Sequence, residues 1–138
     1  MVLYVVAVAV VIRREGRVLA MRRAMTKDAG PGLWETLSGR VDAGETPLQA
    51  AAREVREECG LDVRFDPRPV TAYPATRLSL PMMIIIYAAD YVGGEVRLSH
   101  EHDRYAWLTP DELTEVCTLG PLVAAVRSAM ATGETGVG

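Results

Sequence analysis

Residues 82–91 read MMIIIYAADY, and the centre of this run offers no polar position at which a strand could turn a face to water. A half-exposed strand alternates apolar and polar residues, so an unbroken apolar centre suits a strand covered on both faces. The N-terminal run VLYVVAVAVVI, residues 2–12, has the same character. It is too short to span a bilayer and lacks a basic segment ahead of it, and its wealth of valine reads as a buried strand rather than a signal or anchor. Helical patterns elsewhere in the chain then imply a mixed sheet with helices packed on it, class α/β or α+β. The 138 residues fit one compact domain able to bury a core without disulfide or metal staples.

The remaining segments follow from turn chemistry and periodicity. REG at 14–16 is a tight turn returning the chain into a second strand at 17–22, so the N-terminus forms a hairpin. TKDAGPG at 26–32 is irregular, and LWETLSG at 33–39 is a short strand running into a glycine turn. Thr46 is an N-cap with Pro47 at the first helical position; Leu48, Ala51, Ala52, Val55 and Cys59 recur at helical spacing, and Gly60 supplies the stop. Residues 63–71 and 78–91 read as extended, with Gly93–Gly94 as a hairpin turn before EVRLS. TPDELTEV from Thr109 and residues 121–130 are further helices, and residues 131–138 are a frayed, glycine-rich tail. The chain contains no internal repeat and no domain linker.

The helix after Thr46 carries Glu54, Glu57 and Glu58 on one side, at steps of three and four residues. Like charges so placed destabilise a helix by roughly 0.2–0.5 kcal/mol per pair. A hard divalent cation relieves that repulsion, because magnesium prefers oxygen ligands and bridges to substrate phosphates. Arg53 stands four residues before Glu57 and can orient it. Gly39 and Gly44 let the preceding loop bring its backbone close to an ion or phosphate, and Glu45 lies just ahead of the helix, where its dipole favours an acid.

In order, residues 39–61 present Gly39, Glu45, Arg53, Glu54, Glu57, Glu58 and Gly60, with aliphatic residues at 55 and 61. This spacing is the Nudix box, and the chain resembles the Nudix hydrolase family at every specified position; LW before the glycine loop and WLTPDEL near the end extend the likeness. The resemblance implies a Nudix fold, an α/β/α sandwich with a mixed β-sheet, over residues 1–130. It also implies Mg2+- or Mn2+-dependent hydrolysis of a nucleoside diphosphate linked to another moiety, the leading substrate being a (deoxy)nucleoside triphosphate split to monophosphate and pyrophosphate. ADP-ribose or nucleotide-sugar hydrolysis is the alternative within the chemistry, and a catalytically inactive nucleotide sensor the alternative outside it. Residue by residue, Glu54, Glu57 and Glu58 match the metal ligands, Arg53 and Glu45 the supporting pair, and the Ser38 carbonyl a loop position that often contacts metal.

Hydrolysis of such a link needs an activated water and neutralised phosphate oxygens. Glu57 is the first candidate for the general base and Glu101, in SHEHDRYAWL, the second; Glu101 also matches an additional acidic ligand of the family. The flanking His100 and His102 read as surface or substrate-contacting residues rather than a zinc site. Arg22, Arg23 and Lys27 are candidates for phosphate contacts, and Trp34 and Tyr73 for stacking on a base. A net charge of −3 gives no sign of a nucleic-acid polymer as partner. The partner is a small nucleotide, with no membrane and with homodimerisation left open. The two cysteines, Cys59 and Cys117, follow no metal spacing and read as free thiols in the cytosol.

Overall fold

A computed structural model of the chain describes residues 1–135. Its centre is a parallel pair, β1 (Val5–Arg14) and β7 (Leu80–Gly93), in register from Val5 opposite Met82 to Arg13 opposite Asp90. Both outer edges of this pair are shared. Along β1, β4 (Leu37–Arg40) pairs with residues 7–10, and β2 (Arg17–Arg23) pairs with Arg13 and Arg14. Along β7, β6 (Thr71–Arg77) covers the first half and β5 (Asp62–Phe65) the second. β3 (Trp34–Glu35) and β8 (His102–Leu108) extend the sheet from β2.

The two faces of the central strands explain their unbroken apolar sequence. Val8, Val10, Ile12, Tyr87 and Ala89 pack against Ala50, Ala51, Val55 and Cys59, on and just after α1 (Pro47–Glu58). The alternate positions Ala9, Val11, Ile86 and Ala88 pack against Leu113 of α2 (Pro110–Val116) and Leu122, Ala125, Val126 and Ala129 of α3 (Gly120–Thr135). The period of two thus feeds two cores, each fully buried Val or Ile stabilising the fold by about 1.5–3 kcal/mol. The result is the expected α/β/α sandwich. Among the described residues no helix is long and apolar enough to cross a membrane.

Several boundaries depart from the sequence reading. The REG turn forms with positive φ at both Glu15 and Gly16, the twist that suits a two-residue hairpin. Another two-residue hairpin lies at Leu78 and Ser79, both also with positive φ, where the sequence reading began a strand. Gly93–Gly94 makes no hairpin: residues 95–99 form no strand, and Arg97 N–H donates to the Cys59 carbonyl at the end of α1. Residues 63–71 divide around Pro67 and Pro69, which lack backbone donors. LWETLSG divides at Thr36, because Trp34 and Glu35 pair with β2 whereas residues 37–40 pair with β1. Residues 131–135, expected in the tail, continue α3; Arg13 reaches across to the Ala129 carbonyl at 2.7 Å and to Thr132 Oγ1 at 3.3 Å, tying the helix end to the sheet. The rest of the tail, 136–138, lies outside the described residues.

Candidate active site

Helix α1 begins in a reciprocal cap: Gln49 N–H donates to Thr46 Oγ1, and Thr46 N–H donates to Gln49 Oε1. At its other end Gly60, with φ of +70°, donates its N–H to the Val55 carbonyl. These ends set the rotation of the acidic face. Glu54 and Glu58, one turn apart, point towards the sheet and are each 7% exposed. Glu57 sits about 60° round the helix from Glu54 and turns to solvent; its side chain is 56% exposed.

Arg53 ties the helix to the loop before it. Its guanidinium donates to both Glu45 oxygens at 2.8 and 2.9 Å, to Glu54 Oε1 at 2.8 Å, to Glu57 Oε2 at 3.2 Å and to the Arg40 carbonyl at 2.9 Å. Glu45 in turn accepts from Asp42 N–H at 2.9 Å. Arg53, with the Asp42 amide assisting, lowers the Glu45 pKa to about 2. Burial pushes the Glu54 pKa up, and Arg53 opposes that.

Gly39 serves the site through space rather than through a special φ. A Cβ there would stand 2.1 Å from Glu54 Cδ, so only glycine lets the buried carboxyl lie against the β4 backbone. Gly44 does take φ of +85°, as the loop reading requires.

Above these residues opens a cavity of about 300 Å³. Glu54, Glu58, Ser38, Gly39 and Glu101 line it together with four cationic side chains, Arg23, Lys27, Arg40 and Arg77. An ion pair between Lys27 and Glu101 crosses its rim and lowers the Glu101 pKa. A smaller apolar cavity of about 90 Å³, with Thr36, Tyr73, Ile84 and Leu122 in its walls, shares Ala7, Glu35, Ser38 and Met82 with the first. The Thr36 hydroxyl there is buried without a hydrogen-bond partner.

The candidate residues therefore separate. Glu54, Glu58, Ser38, Gly39, Glu101 and Arg23 share the cleft, while Glu57, Arg22 and Trp34 are not among its walls. Arg22 instead forks onto Asp103 at 2.7 and 2.9 Å. Trp34 packs into the core on the α2 and α3 side. Arg23 donates to the Ala29 carbonyl and to Glu35, so its guanidinium is already engaged.

His102, expected at the surface or against substrate, is 5% exposed and lines the cleft. Its Nε2 lies 2.9 Å from Glu35 Oε2 and its Nδ1 3.4 Å from Glu58 Oε2. Burial alone would lower its pKa, but the two carboxylates outweigh burial and hold it up at about 9. The sequence reading also missed Glu35, Arg40 and Arg77. A charged residue inside the apolar LWETL was the available signal for Glu35.

Among the described residues no trio of His, Cys, Asp or Glu side chains forms a ready-made cation cage, so the three helix glutamates do not converge as expected. The donor set still fits a divalent cation. Glu54 Oε1 accepts from Arg53, and Glu58 Oε2 accepts from Ser99 Oγ and lies 3.4 Å from His102 Nδ1. Among the described residues the other oxygen of each accepts no hydrogen bond. Two half-satisfied carboxylates on one cavity wall are costly unless a cation or water completes them.

Comparison with known proteins identifies the family and the fold. The family model of the NUDIX domain matches residues 3–130. A MutT-like protein of Streptomyces ambofaciens is 39% identical over 114 residues, 82% of this chain and 69% of the relative. The CTP pyrophosphohydrolase of Escherichia coli K12 is 30% identical over 105 residues, 76% of each chain. The crystal structure of a MutT protein from Methanosarcina mazei Go1 superposes with a TM-score of 0.81 at 25% identity, covering 96% of both chains.

Proposed function

The chain belongs to the Nudix family and is a hydrolase of pyrophosphate bonds, and from that premise we propose that it splits a (deoxy)nucleoside triphosphate into the monophosphate and pyrophosphate, with Mg2+ or Mn2+ and in the cytosol. The observation that carries the substrate reading is the pairing of cavities. One holds three buried carboxylates, Glu35, Glu54 and Glu58, beside Arg23, Lys27, Arg40 and Arg77, and it adjoins an apolar pocket walled by Tyr73 and Ile84. An acidic wall suits a cation, the basic residues suit phosphate oxygens, and an apolar slot with an aromatic wall suits a base. The pyrophosphohydrolase name of the E. coli relative points the same way.

Glu54, Glu58 and the Ser38 carbonyl would hold the cation, which when bound supplies charge neutralisation at the phosphate and a more acidic water. Lys27, Arg40 and Arg77 bind and orient the phosphates. Of the two candidate bases, the cleft favours Glu101, because Glu57 is engaged by Arg53 outside it. Lys27 turning to a substrate phosphate frees the Glu101 carboxylate and returns its pKa towards the ordinary range. Glu101 then takes the proton as water oxygen attacks a phosphorus of the α–β link and the bond to the bridging oxygen breaks, giving monophosphate and pyrophosphate.

A panel of nucleoside triphosphates, ADP-ribose and nucleotide sugars with Mg2+, read by pyrophosphate and monophosphate release, tests the substrate. Turnover confined to ADP-ribose or sugar nucleotides refutes the triphosphate reading. At saturating Mg2+, Glu101→Gln should lower kcat by about 10²–10⁴ and Glu57→Gln far less. The reverse order moves the base to Glu57.

A further inference from the structure

We propose that His102, held in place by Glu35, is a positioning residue for the Glu58 carboxylate; this rests on the reading of Glu58 as a cation ligand. The three residues are buried, and among the described residues Glu35 and Glu58 are the acids paired with the imidazole. Glu35 Oε2 accepts from His102 Nε2 at 2.9 Å and from Arg23 Nη1 at 3.1 Å. Arg23 thereby fixes Glu35, and Glu35 in turn holds the Nε2 end of the buried imidazole. Its opposite edge then faces Glu58: Nδ1 has no hydrogen-bond acceptor, and Glu58 Oε2 lies 3.4 Å away.

Ser99 Oγ donates to the same Glu58 oxygen at 2.8 Å. Ser99 thus holds one oxygen of Glu58 by a hydrogen bond while the buried imidazole edge lies against it at 3.4 Å, which leaves Oε1 as the free donor on the cavity wall. Partners of this sort orient a ligand and make it a better donor, and losing one typically lowers metal affinity or activity 10–100-fold. Without His102 the buried ring edge beside Glu58 Oε2 is gone and the Ser99 hydroxyl alone positions the carboxylate.

The test titrates the purified protein with Mn2+, following free ion by electron paramagnetic resonance, for wild type, Glu58→Gln, His102→Gln, Glu35→Gln and the double variant Glu58→Gln/His102→Gln. Thermal unfolding is measured on each. Glu58→Gln should weaken Mn2+ binding strongly, and His102→Gln and Glu35→Gln by about 10–100-fold. In the double variant the His102 change should add nothing. An unchanged affinity in Glu58→Gln would overturn the ligand reading itself. A weakened Glu58→Gln beside folded His102→Gln and Glu35→Gln proteins of wild-type affinity would overturn the positioning role alone. Should His102→Gln fail to fold, Glu35→Gln decides, because it leaves the imidazole and Glu58 in place. A lowered Tm with unchanged Mn2+ affinity marks a purely structural role and refutes the proposal.

Discussion

Replacing Gly39 with alanine places a methyl group where the Glu54 carboxyl now lies. The new Cβ would stand 2.1 Å from Cδ and 2.2 Å from Oε1. Carbon contacts settle at about 3.5–4.0 Å, so the carboxyl must retreat by more than about 1 Å. The atom displaced is the one Arg53 holds at 2.8 Å. A hydrogen bond to a charged group contributes about 1.5–3 kcal/mol, here towards the lower figure because the Arg53 side chain is 21% exposed. Gly→Ala at a compatible φ returns about 0.4–1 kcal/mol by restricting the unfolded chain. The expected net loss is therefore about 1 kcal/mol, small beside the effect on function. A displacement of about 1 Å at a reacting site can lower turnover about 10²-fold. Urea unfolding, Mn2+ titration and kcat at saturating substrate measure the three quantities. In a Glu54→Ala background the collision partner is gone, so Gly39→Ala should there be neutral or slightly stabilising. Wild-type turnover and Mn2+ affinity in Gly39→Ala, or an equal loss of stability in both backgrounds, would show that Gly39 does not make room for Glu54.

Arg22 pairs with Asp103 away from the cleft walls, so Arg22→Ala should leave kcat/KM within about twofold of wild type; a tenfold rise in KM would return it to the substrate site. Glu45 has a folded pKa near 2 against an ordinary 4.5, a depression that favours the folded state above pH 4.5 and is lost as pH falls towards 2. The Tm gap between wild type and Glu45→Gln should accordingly narrow over that window, and a gap independent of pH would contradict the Arg53–Glu45 assignment. Thr36→Val removes a buried hydroxyl that has no partner while keeping its shape, so calorimetry should find it neutral or stabilising by up to about 1 kcal/mol. A clear loss of stability would mean that the hydroxyl is satisfied in the folded protein.

Patterns local to one element were legible in the sequence. The strands at Val5–Arg14 and Leu80–Gly93 and the helix Pro47–Glu58 with its Thr46 cap and Gly60 stop follow from spacing, since short-range geometry fixes which side chains share a face, whereas the Arg53–Glu45 support was legible only through the family resemblance. The Glu–Gly and Leu–Ser hairpin turns show where this ends. Gly16 announces the first, but nothing in Leu78–Ser79 favours positive φ; the pairing of β6 with β7 imposes it. The double glycine at 93–94 carried a hairpin signal that the contact of Arg97 with the end of α1 overrides.

The site divides along the same line. Helical spacing alone makes Glu54, Glu57 and Glu58 equivalent, and only packing against the sheet decides that Glu54 and Glu58 are buried while Glu57 faces water. Glu35 and His102 are 67 residues apart, and pairing of β3 and β8 with opposite edges of β2 brings their side chains to 2.9 Å. Burial and long-range pairing depend on which surfaces the whole chain brings together, and no window of sequence contains that. The sequence by itself determined the acidic helix and its chemistry; tertiary packing decided which carboxylates face the cleft, and which distant histidine and glutamate stand behind them.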